Sequence, residues 1–306
     1  MGFKVTILGS SAAVPTIYRS LSSQILEHAG SLFLIDCGEG AQLQMLKFSI
    51  KLHKIDYIFI SHLHGDHYLG LQGLLNTLSM EGREKELTLY APEALQDFII
   101  AGLSLSGGNG LSFPLHFVAL EEGKTTTIFE NNNLTVESIP LFHRIPTFGF
   151  IFREKTKDRN IKHEFVEVYH PDFPTIKAIK KGEDFVDKYG NIIKNGTITT
   201  ASKPPAQFAY FSDTHFDESL AMYILGVDVL YHEATFSDAE THLASERFHT
   251  TSRQAATLAQ KANVKQLLLG HISSRFLNDT SVLEQQAKEV FPNTTVVNDG
   301  DVYNIP

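Results

Sequence analysis

The feature that most constrains this chain is a cluster of metal-ligand side chains placed directly after an apolar strand. Residues Asp56–Ile60 (DYIFI) predict a buried strand, and apolar residues at helical spacing across Tyr68–Glu81 predict a helix after it. The loop between them holds three histidines and an aspartate, namely His62, His64, His67 and Asp66. A solvated polar loop is the alternative, but it gives no reason for three imidazoles. A buried polar cluster of this density is costly without a cation, so the pattern predicts a metal site.

Further candidate ligands also follow predicted strands. His143 follows LTVESIPLF, Asp213 follows FAYFS, and His271 follows QLLLG. Taken alone, either histidine could be structural, and Asp213 could cap a helix. Functional groups gather at strand ends held by a rigid sheet, so a site begun by the first cluster can draw its distant ligands from here. Together these side chains suffice for two zinc-like ions that share one ligand.

Composition limits the other possibilities. The chain has 42% hydrophobic and 20% charged residues, which predicts a globular protein with a large core. Its one cysteine, Cys37, excludes a cysteine-based zinc site and is expected in the core. The net charge of −9 argues against a general nucleic-acid-binding protein, although it allows a local basic patch.

The ends of the chain and its apolar runs predict its compartment. The N-terminus has one early lysine and a short apolar run, which predict a first strand over Phe3–Leu8 instead of a signal peptide. A membrane helix needs roughly 20 apolar residues, and we find no such stretch in the sequence. We therefore expect a cytoplasmic protein without a membrane span.

Strands and helices alternate along both halves of the sequence. A hairpin is predicted at 22–35, two or three strands at 115–153, and strands at 208–211, 227–231, 266–269, 296–297 and 302–305. The glycine-rich run at 107–110 is interpreted as a turn, and 154–205 is a polar insert without clear periodicity. This order predicts an α/β protein with two sheets covered by helices, an αββα sandwich.

A set of motifs resembles the metallo-β-lactamase superfamily and, within it, the ribonuclease Z family of tRNA 3′-processing endonucleases. The motifs occur in the family's order and spacing over nearly the whole chain: LIDCGEG (Leu34–Gly40), HLHGDH (His62–His67), FSDT (Phe211–Thr214), HEATF (His232–Phe236), FHTTS (Phe248–Ser252) and GHISSR (Gly270–Arg275). The resemblance implies a single metallo-β-lactamase domain over residues 1–306. It also implies an inserted flexible arm at 155–205, which protrudes and binds tRNA as an exosite.

The resemblance further implies an activity and a ligand set. The chain would be a zinc-dependent endoribonuclease that removes the 3′ trailer of precursor tRNA, leaving a 3′-hydroxyl on the tRNA and a 5′-phosphate on the trailer, and it would form a homodimer. Two Zn²⁺ would be held in two groups that share Asp213. The first group is His62, His64 and His143, and the second is Asp66, His67 and His271.

Catalytic roles follow from the same resemblance. Asp66 would accept a proton as well as bind metal. His249 would donate a proton to the leaving 3′ oxygen, with Glu233 orienting its imidazole. The alternative for Glu233 is a simple strand-end hydrogen bond. His232 is a further candidate for holding a ligand in place.

Substrate contacts are expected from three lysines of the arm and from the GHISSR motif. Lys177, Lys180 and Lys181 match the basic part of the family's arm and could neutralise phosphates despite the acidic total charge. Ser273 and Arg275 would contact substrate, with Arg275 pairing bidentately with a phosphate; a surface salt bridge is the alternative. For the arm the alternative is a solvated charged loop.

The sequence departs from the family pattern at two places. Asp172-Phe173-Pro174 replaces the usual Gly-Pro tip of the arm, and in PTIYRSLSS (Pro15–Ser23) Ser20 stands where asparagine is usual.

Two other functions share the predicted fold or the predicted partner. One is a small-molecule hydrolase such as a lactonase, thioesterase or cyclic-nucleotide phosphodiesterase; the other is a non-enzymatic RNA-binding protein with a relic site. The arm and the HEATF and FHTTS motifs favour the endonuclease over the first, and the complete ligand set favours it over the second.

Overall fold

The computed structural model describes residues 2–105 and 110–306. The chain divides into two compact units, one formed by the residues up to Arg153 together with Ala206–Pro306, the other by Glu154–Pro205. Most of the turn predicted at 107–110 lies outside the described residues. Within the described ranges, no helix combines the length and apolarity required to cross a bilayer.

Strands and helices are numbered in chain order. The strands are β1 (Phe3–Gly9), β2 (Ser23–His28), β3 (Ser31–Cys37), β4 (Ile55–Phe59), β5 (Leu87–Ala91), β6 (Leu115–Ala119), β7 (Thr126–Glu130), β8 (Leu134–Leu141), β9 (Thr147–Glu154), β10 (Asn160–Ile161), β11 (Phe185–Val186), β12 (Ile192–Ile193), β13 (Thr199–Thr200), β14 (Gln207–Phe211), β15 (Val229–Glu233), β16 (Gln266–Gly270), β17 (Thr294–Val296) and β18 (Val302–Ile305). The α-helices are α1 (Ala41–Lys47), α2 (Gly65–Tyr68), α3 (Leu71–Met80), α4 (Leu95–Leu105), α5 (His163–Tyr169), α6 (Phe173–Lys180), α7 (Asn195–Ile198), α8 (Thr241–Arg247), α9 (Ser252–Lys261) and α10 (Ser281–Lys288). Short 3-10 helices lie at Leu52–Lys54, Glu218–Tyr223, Asp238–Glu240 and Ser274–Phe276.

The described strands of the first unit form two mixed sheets of seven strands each. The order in one sheet is β18-β1-β2-β3-β4-β5-β6, and in the other β17-β16-β15-β14-β9-β8-β7. Strands β3 to β6 run parallel, as do β14 to β17. The predicted hairpin β2–β3 turns through Ala29 and Gly30, both at positive φ. Two positive φ values are what a type I′ turn requires, which explains the glycine.

The core consists of three layers, because successive residues of a strand point to opposite faces. In β4, Phe59 packs between the two sheets against Phe150 and Phe152 of β9, whereas Ile58 packs outward with the apolar face of α3. On the other sheet, Leu267 packs outward with α9 and α10. Cys37 lies in the outer layer of the first sheet, fully buried as predicted. The predicted αββα sandwich is confirmed.

Four strands, not the predicted two or three, span residues 115–153: β6, β7, β8 and β9. The underestimate has a physical reason. Both β6 and β7 are edge strands of their sheets, and most of their residues are exposed or only partly buried. Edge strands with one wet face show weak apolar alternation, so the pattern blurs their boundaries.

The second unit, Glu154–Pro205, has secondary structure and a small core of its own. The polar sequence shows little periodicity, yet α5, α6 and α7 form, with the two-stranded pairs β10–β13 and β11–β12. Phe165, Ile179 and Ile198 build the core. The residues that replace the Gly-Pro tip start α6: Asp172 accepts a hydrogen bond from the backbone N–H of Thr175 at 3.0 Å, and Pro174 occupies the first turn. This is a capped helix start.

Candidate metal centre

The predicted ligands meet where parallel strands of both sheets end. In the first sheet Ile35 pairs with Phe59, so the residues after β3 and β4 emerge side by side. In the second sheet Glu233 of β15 pairs with Gly270 of β16, which brings His271 beside the end of β15. Carboxyl ends of parallel strands at one sheet edge are where ligand sites form in layered α/β folds.

One group of ligand atoms comprises His62, His64, His143 and Asp213. The His62 Nε2 atom lies 3.0 Å from His64 Nδ1 and 3.5 Å from Asp213 Oδ2. His143 Nε2 lies 3.3 Å from His64 Nδ1 and 3.8 Å from Asp213 Oδ2. Four ligands about 2.0–2.1 Å from a tetrahedral ion are about 3.3 Å apart, so these spacings suit one small ion.

A second group comprises Asp66, His67 and His271. His271 Nε2 lies 3.3 Å from both His67 Nε2 and Asp66 Oδ2. The other carboxylate oxygen of Asp213, Oδ1, is 3.2 Å from His271 Nε2 and 3.5 Å from His67 Nε2. Asp213 therefore turns one oxygen toward each group, which is the geometry of a bridging carboxylate.

Hydrogen bonds on the far side of the imidazole rings set which nitrogen faces the centre. His67 Nδ1 donates to Asp36 at 2.7 Å, and His143 Nδ1 donates to the carbonyl of Phe248 at 2.8 Å. Ser61 donates its hydroxyl proton to Asp36 and so accepts from His62 Nδ1 at 3.0 Å. These bonds leave the Nε2 lone pairs of the three rings free to bind an ion.

The donor set fits a cation on physical grounds. The His62 Nε2–His64 Nδ1 distance of 3.0 Å and the His67 Nε2–His271 Nε2 distance of 3.3 Å bring pairs of ring nitrogens close enough to share a proton or to bind one metal ion. Neutral imidazole and carboxylate are ligand types that zinc accepts, and manganese and iron accept them too. The centre therefore has the chemistry of a metal site.

The charges of the centre act in the same direction. Burial and the neighbouring His67 lower the pKa of His62 to about 4, which keeps that imidazole neutral and able to bind metal. Burial opposes a charge on His67, but the carboxylates of Asp66, Asp213 and Asp36 outweigh it and raise the pKa of His67 to about 10. The carboxylates thus create a potential that favours positive charge within the centre.

Glu233 ties the loops of the centre together and also contacts His249. Its Oε1 accepts from the backbone N–H groups of Thr214 and Thr250, each at 3.1 Å, and Oε2 accepts the hydroxyl proton of Thr235 at 2.7 Å. His249 Nδ1 donates to Oε1 at 2.8 Å. The strand-end hydrogen bonds and the orienting contact with His249 therefore coexist on one fully buried carboxylate.

That contact changes the acidity of His249. Burial favours the neutral ring, but the charge of Glu233 and its hydrogen bond outweigh burial and raise the pKa of His249 to about 9. The ring lines the cavity at the centre. An imidazole that is protonated at neutral pH and faces the substrate space can act as a proton donor. His249 also belongs to a ligand-spaced group with Asp213 and His271, which leaves a ligand role as the alternative.

Two positioning groups were not predicted from the sequence. Asp36, within LIDCGEG, accepts from His67, from the backbone and hydroxyl of Ser61, and from the Tyr210 hydroxyl at 2.6 Å. Thr235, within HEATF, gives its proton to Glu233 and accepts from His271 Nδ1 at 2.9 Å. Both are strand-end polar residues inside motifs, and that position is the signal that could have found them. His232 instead donates to the carbonyl of its neighbour Glu233 at 2.7 Å.

Strained backbone occurs at the same place. Asp36, Phe248 and His271 have positive φ values of 55°, 59° and 53°. This region is uncommon for residues other than glycine, and for a bulky residue such as Phe248 it costs free energy that the surrounding structure must offset. At each of the three positions, the residue or its carbonyl contacts a predicted ligand or is one.

The cavity above the centre has a volume of about 800 Å³, and three arginines lie at its rim together with the exposed carboxylate of Glu39. Its lining includes Ser273, whose hydroxyl accepts from the backbone of Arg275 at 3.4 Å, and the exposed cations Arg144, Arg247 and Arg275. Arg275 Nε lies 3.9 Å from Glu240, a loose ion pair, with its guanidinium 5.6 Å from the centroid of the Phe236 ring. The structure thus brings Ser273 and Arg275 to the cavity.

The stretch that departs from the family pattern near the N-terminus is anchored internally. Arg19 is buried and donates to Ser10 at 2.7 Å and to the side chain of Asn298 at 2.8 Å. The backbone N–H of Ser20 donates to Asp299 at 2.6 Å. Arg19 therefore fixes the loop whose residue Ala13 donates its backbone N–H to the predicted ligand Asp66 at 2.8 Å.

The predicted arm lysines lie in the second unit. Lys177 and Lys180 are in the last turn of α6, and Lys181 follows as its C-terminal cap. All three are exposed, and their spacing puts them on one side of the helix end. Cations at a helix C-terminus also stabilise the helix dipole, so a purely structural role is the alternative.

Comparisons with known proteins decide the family. A protein of Parabacteroides distasonis named Ribonuclease Z is 41% identical over 298 residues, covering 97% of each chain. The profile of the family described as Anti-Pycsar protein Apyc1 matches residues 3–176, a span that ends before Asp213, His249 and His271. The chain belongs to the ribonuclease Z family and, over residues 3–176, to the family of that profile.

Solved structures agree with the fold. The human tRNase Z, short form, has a TM-score of 0.71 at 28% identity and covers 99% of each chain. The protein YhfI from Bacillus subtilis, described as having a metallo-beta-lactamase fold, has a TM-score of 0.69 at 17% identity and covers 99% of this chain and 100% of its own. The predicted metallo-β-lactamase fold and metal-binding character are confirmed.

Proposed function

We propose that the centre holds two zinc ions and that with them the chain, a tRNA 3′-processing endoribonuclease by family membership, hydrolyses one phosphodiester bond of precursor tRNA. The products are a tRNA with a 3′-hydroxyl and a trailer with a 5′-phosphate. The single observation that supports two ions is Asp213, whose two carboxylate oxygens face two separate groups of histidines. A one-ion site would leave one of these groups unused.

Each side chain then has a defined task. His62, His64 and His143 would hold one ion, and Asp66, His67 and His271 would hold the other, with Asp213 available to both. When bound, the ions supply Lewis acidity to the scissile phosphate and lower the pKa of water in the centre.

Protons are handled by the protein. The pKa of Asp66 is lowered by His67 and His271 although burial opposes this, so its carboxylate is ionised and can accept a proton from the attacking water. His249, held by Glu233 and protonated below its raised pKa, donates to the departing 3′ oxygen. An acid and a base on one centre allow a water to attack while an alcohol leaves.

Residues of the second unit, as well as residues that line the cavity, are assigned to substrate binding. We assign Lys177, Lys180 and Lys181 to the tRNA backbone, because exposed lysines on one side of a helix end can neutralise neighbouring phosphates. Arg275 and Ser273 are assigned to the strand that enters the cavity. The unit Glu154–Pro205 is thus an exosite inserted into a single metallo-β-lactamase domain. From the same family resemblance we propose that the protein is a homodimer and works in the cytoplasm.

The test is to incubate purified, zinc-loaded protein with a precursor tRNA that carries a 3′ trailer, and to sequence both product ends. We expect one cut, with a 3′-hydroxyl on the tRNA fragment and a 5′-phosphate on the trailer. Elemental analysis of the same sample should find about two ions per chain. A single ion per chain would refute the two-metal assignment. Hydrolysis of small phosphodiesters together with an uncut precursor would favour the small-molecule hydrolase instead.

A further inference from the structure

A partly exposed group of aromatic rings lies beside the metal centre, and the proposed reaction leaves it unused. We propose that this surface, formed by Phe142, His215 and Phe248, stacks the unpaired base of the nucleotide whose 3′ oxygen leaves in the reaction. The proposal rests on the proposed function and adds a specificity determinant to it. We call these three residues the aromatic platform.

The platform has the exposure and the ring arrangement of a stacking site. Phe142 is 59% exposed, although the burial of a phenylalanine ring is favourable. Its ring centroid lies 5.6 Å from that of Phe248 and 5.9 Å from that of His215, and the planes are inclined by 66° and 80°. Each ring packs edgewise on its neighbour, so a face of Phe142 can stay available for a flat partner.

Hydrogen bonds fix the platform to the metal centre. The backbone N–H of Phe142 donates to the Thr214 hydroxyl at 3.2 Å, and that of His215 donates to the carbonyl of Phe142 at 2.7 Å. The carbonyl of Phe248 accepts from His143, and Phe248 holds a positive φ in doing so. Phe142 and Phe248 are each one residue from a proposed catalytic-centre histidine, so their rings are positioned with the ligands.

Charge around the platform identifies the occupant as nucleic acid. The guanidinium of Arg144 lies 5.8 Å from the centroid of the Phe248 ring, and Arg144 and Arg247 are exposed residues that line the cavity. Aromatic rings next to arginines are the usual means of binding single-stranded RNA, in which unstacked bases lie on the rings and cations meet the phosphates. An apolar peptide would find no partner for these arginines.

The position of His249 indicates which nucleotide of the substrate would stack on the platform. His249 follows Phe248 in the chain, and its ring centroid is 5.2 Å from that of His143. In the proposed reaction His249 protonates the leaving 3′ oxygen. We therefore assign the nucleotide that carries this oxygen, on the 5′ side of the scissile phosphate, to the platform, which adjoins His249 through Phe248 and His143 through Phe142.

A coupling experiment between protein and RNA tests the assignment. Precursor tRNAs are made with an abasic residue either on the 5′ side or on the 3′ side of the cut, and kcat/KM is measured for wild type and Phe142→Ala. Phe142→Ala and the 5′ abasic residue should each lower kcat/KM by about tenfold, and the combination should lower it little further. Losses that multiply independently would overturn the proposal, as would coupling to the 3′ abasic residue. Phe98→Ala, a partly exposed phenylalanine of α4, is the matched control and should behave as wild type.

A fluorescence measurement keeps the proposal testable if Phe142→Ala folds poorly. The chain contains no tryptophan, so Phe142→Trp carries a single reporter. Its emission should be quenched on binding a non-hydrolysable precursor and much less by the same RNA with the 5′ abasic residue. Equal quenching by both RNAs would overturn the stacking assignment. Wild-type cleavage of the intact precursor tests the proposed function separately, so that function can stand while the platform fails.

Discussion

The metal centre and the Glu154–Pro205 unit use charge in opposite ways. In the centre, the carboxylates and imidazoles are buried, and Asp36, Glu233 and Thr235 supply hydrogen bonds that fix their positions. In the second unit, Lys177, Lys180 and Lys181 are exposed at a helix end. A buried site is determined by many contacts at once, so one substitution disables it. The attraction between exposed cations and phosphates is screened by water and salt, so each lysine contributes only a part of the binding energy.

The largest effect is expected at Asp213, the proposed bridging ligand of two ions. Asp213→Ala removes both bridging oxygens, so both ions should be lost and cleavage of precursor tRNA and of bis(p-nitrophenyl) phosphate should fall by at least about a thousandfold. Elemental analysis and kcat measure the two losses. Asp217→Ala, an exposed helix-capping aspartate four residues further on, is the control and should retain metal. Full metal occupancy in Asp213→Ala would contradict the bridging role.

Removal of His249, the proposed proton donor, should lower the rate of cleavage and leave the metal content unchanged. His249→Ala should lower kcat on precursor tRNA by about a hundred- to a thousandfold, because general acid catalysis contributes on that scale. Metal content should match that of wild type and of His242→Ala, an exposed histidine of α8. Loss of an ion from His249→Ala would instead make His249 a ligand.

The raised pKa of His249 predicts the alkaline side of the pH profile. A general acid must be protonated, and Glu233 raises the pKa of His249 to about 9 against the effect of burial. The wild-type kcat should therefore hold near neutral pH and decline as the pH rises through about 9. His249→Ala should lack this decline; an identical alkaline limb in both proteins would assign the ionisation to another group.

The candidate ligands could be predicted from sequence because the dense cluster at His62–His67 indicates a metal site, and the family resemblance then assigns the more distant His143, Asp213 and His271 to it. Parallel strands then bring separate strand ends to one edge, so the fold class supplies the proximity. Asp36 could not be assigned this way. Its place in LIDCGEG marks it as a polar residue at a strand end, but its role depends on β3 lying beside β4, where its oxygens meet Ser61 and His67.

The second unit shows a different limit. Its helices are short, and their apolar residues are too few to set up a period, so the segment resembles a polar loop. The local signal was nevertheless present in Asp172-Phe173-Pro174, because an aspartate before a proline in the first turn predicts a helix start. Short helices around three buried residues are found by caps more readily than by periodicity.

Loss of the exposed lysines should affect the RNA reaction by an intermediate amount. The triple change of Lys177, Lys180 and Lys181 to alanine should reduce kcat/KM on precursor tRNA by about ten- to a hundredfold, mostly through KM. Hydrolysis of bis(p-nitrophenyl) phosphate should change by less than about threefold, because a remote contact acts only on substrates that make it. The slope of log kcat/KM against log salt should also become less steep by about two units.

The matched control removes three lysines from the first unit. Lys124, Lys261 and Lys288 are exposed, and each is paired with a glutamate. Their change to alanine removes three positive charges, the same number as the change of Lys177, Lys180 and Lys181. This control should lose far less activity on tRNA. Point changes also leave Ile179 in place, which a replacement of the whole of α6 would remove from the core of the second unit. Equal losses on both substrates would mean that the lysines support the active site and do not grip the RNA.

The smallest effect is expected from a change in the core of the second unit. Ile179→Val removes one methylene from a core of three buried residues and should destabilise Glu154–Pro205 by about 0.5–1.5 kcal/mol. Because that unit has its own core, hydrogen-exchange protection should fall by up to about tenfold there and remain unchanged at the metal centre. Ile151→Val, in the core under α9, is the reciprocal change and should lower protection in the first unit. If Ile179→Val lowered protection evenly along the chain, the two units would unfold together. The proposed division between tRNA binding in one unit and catalysis in the other would then not correspond to two independently stable units.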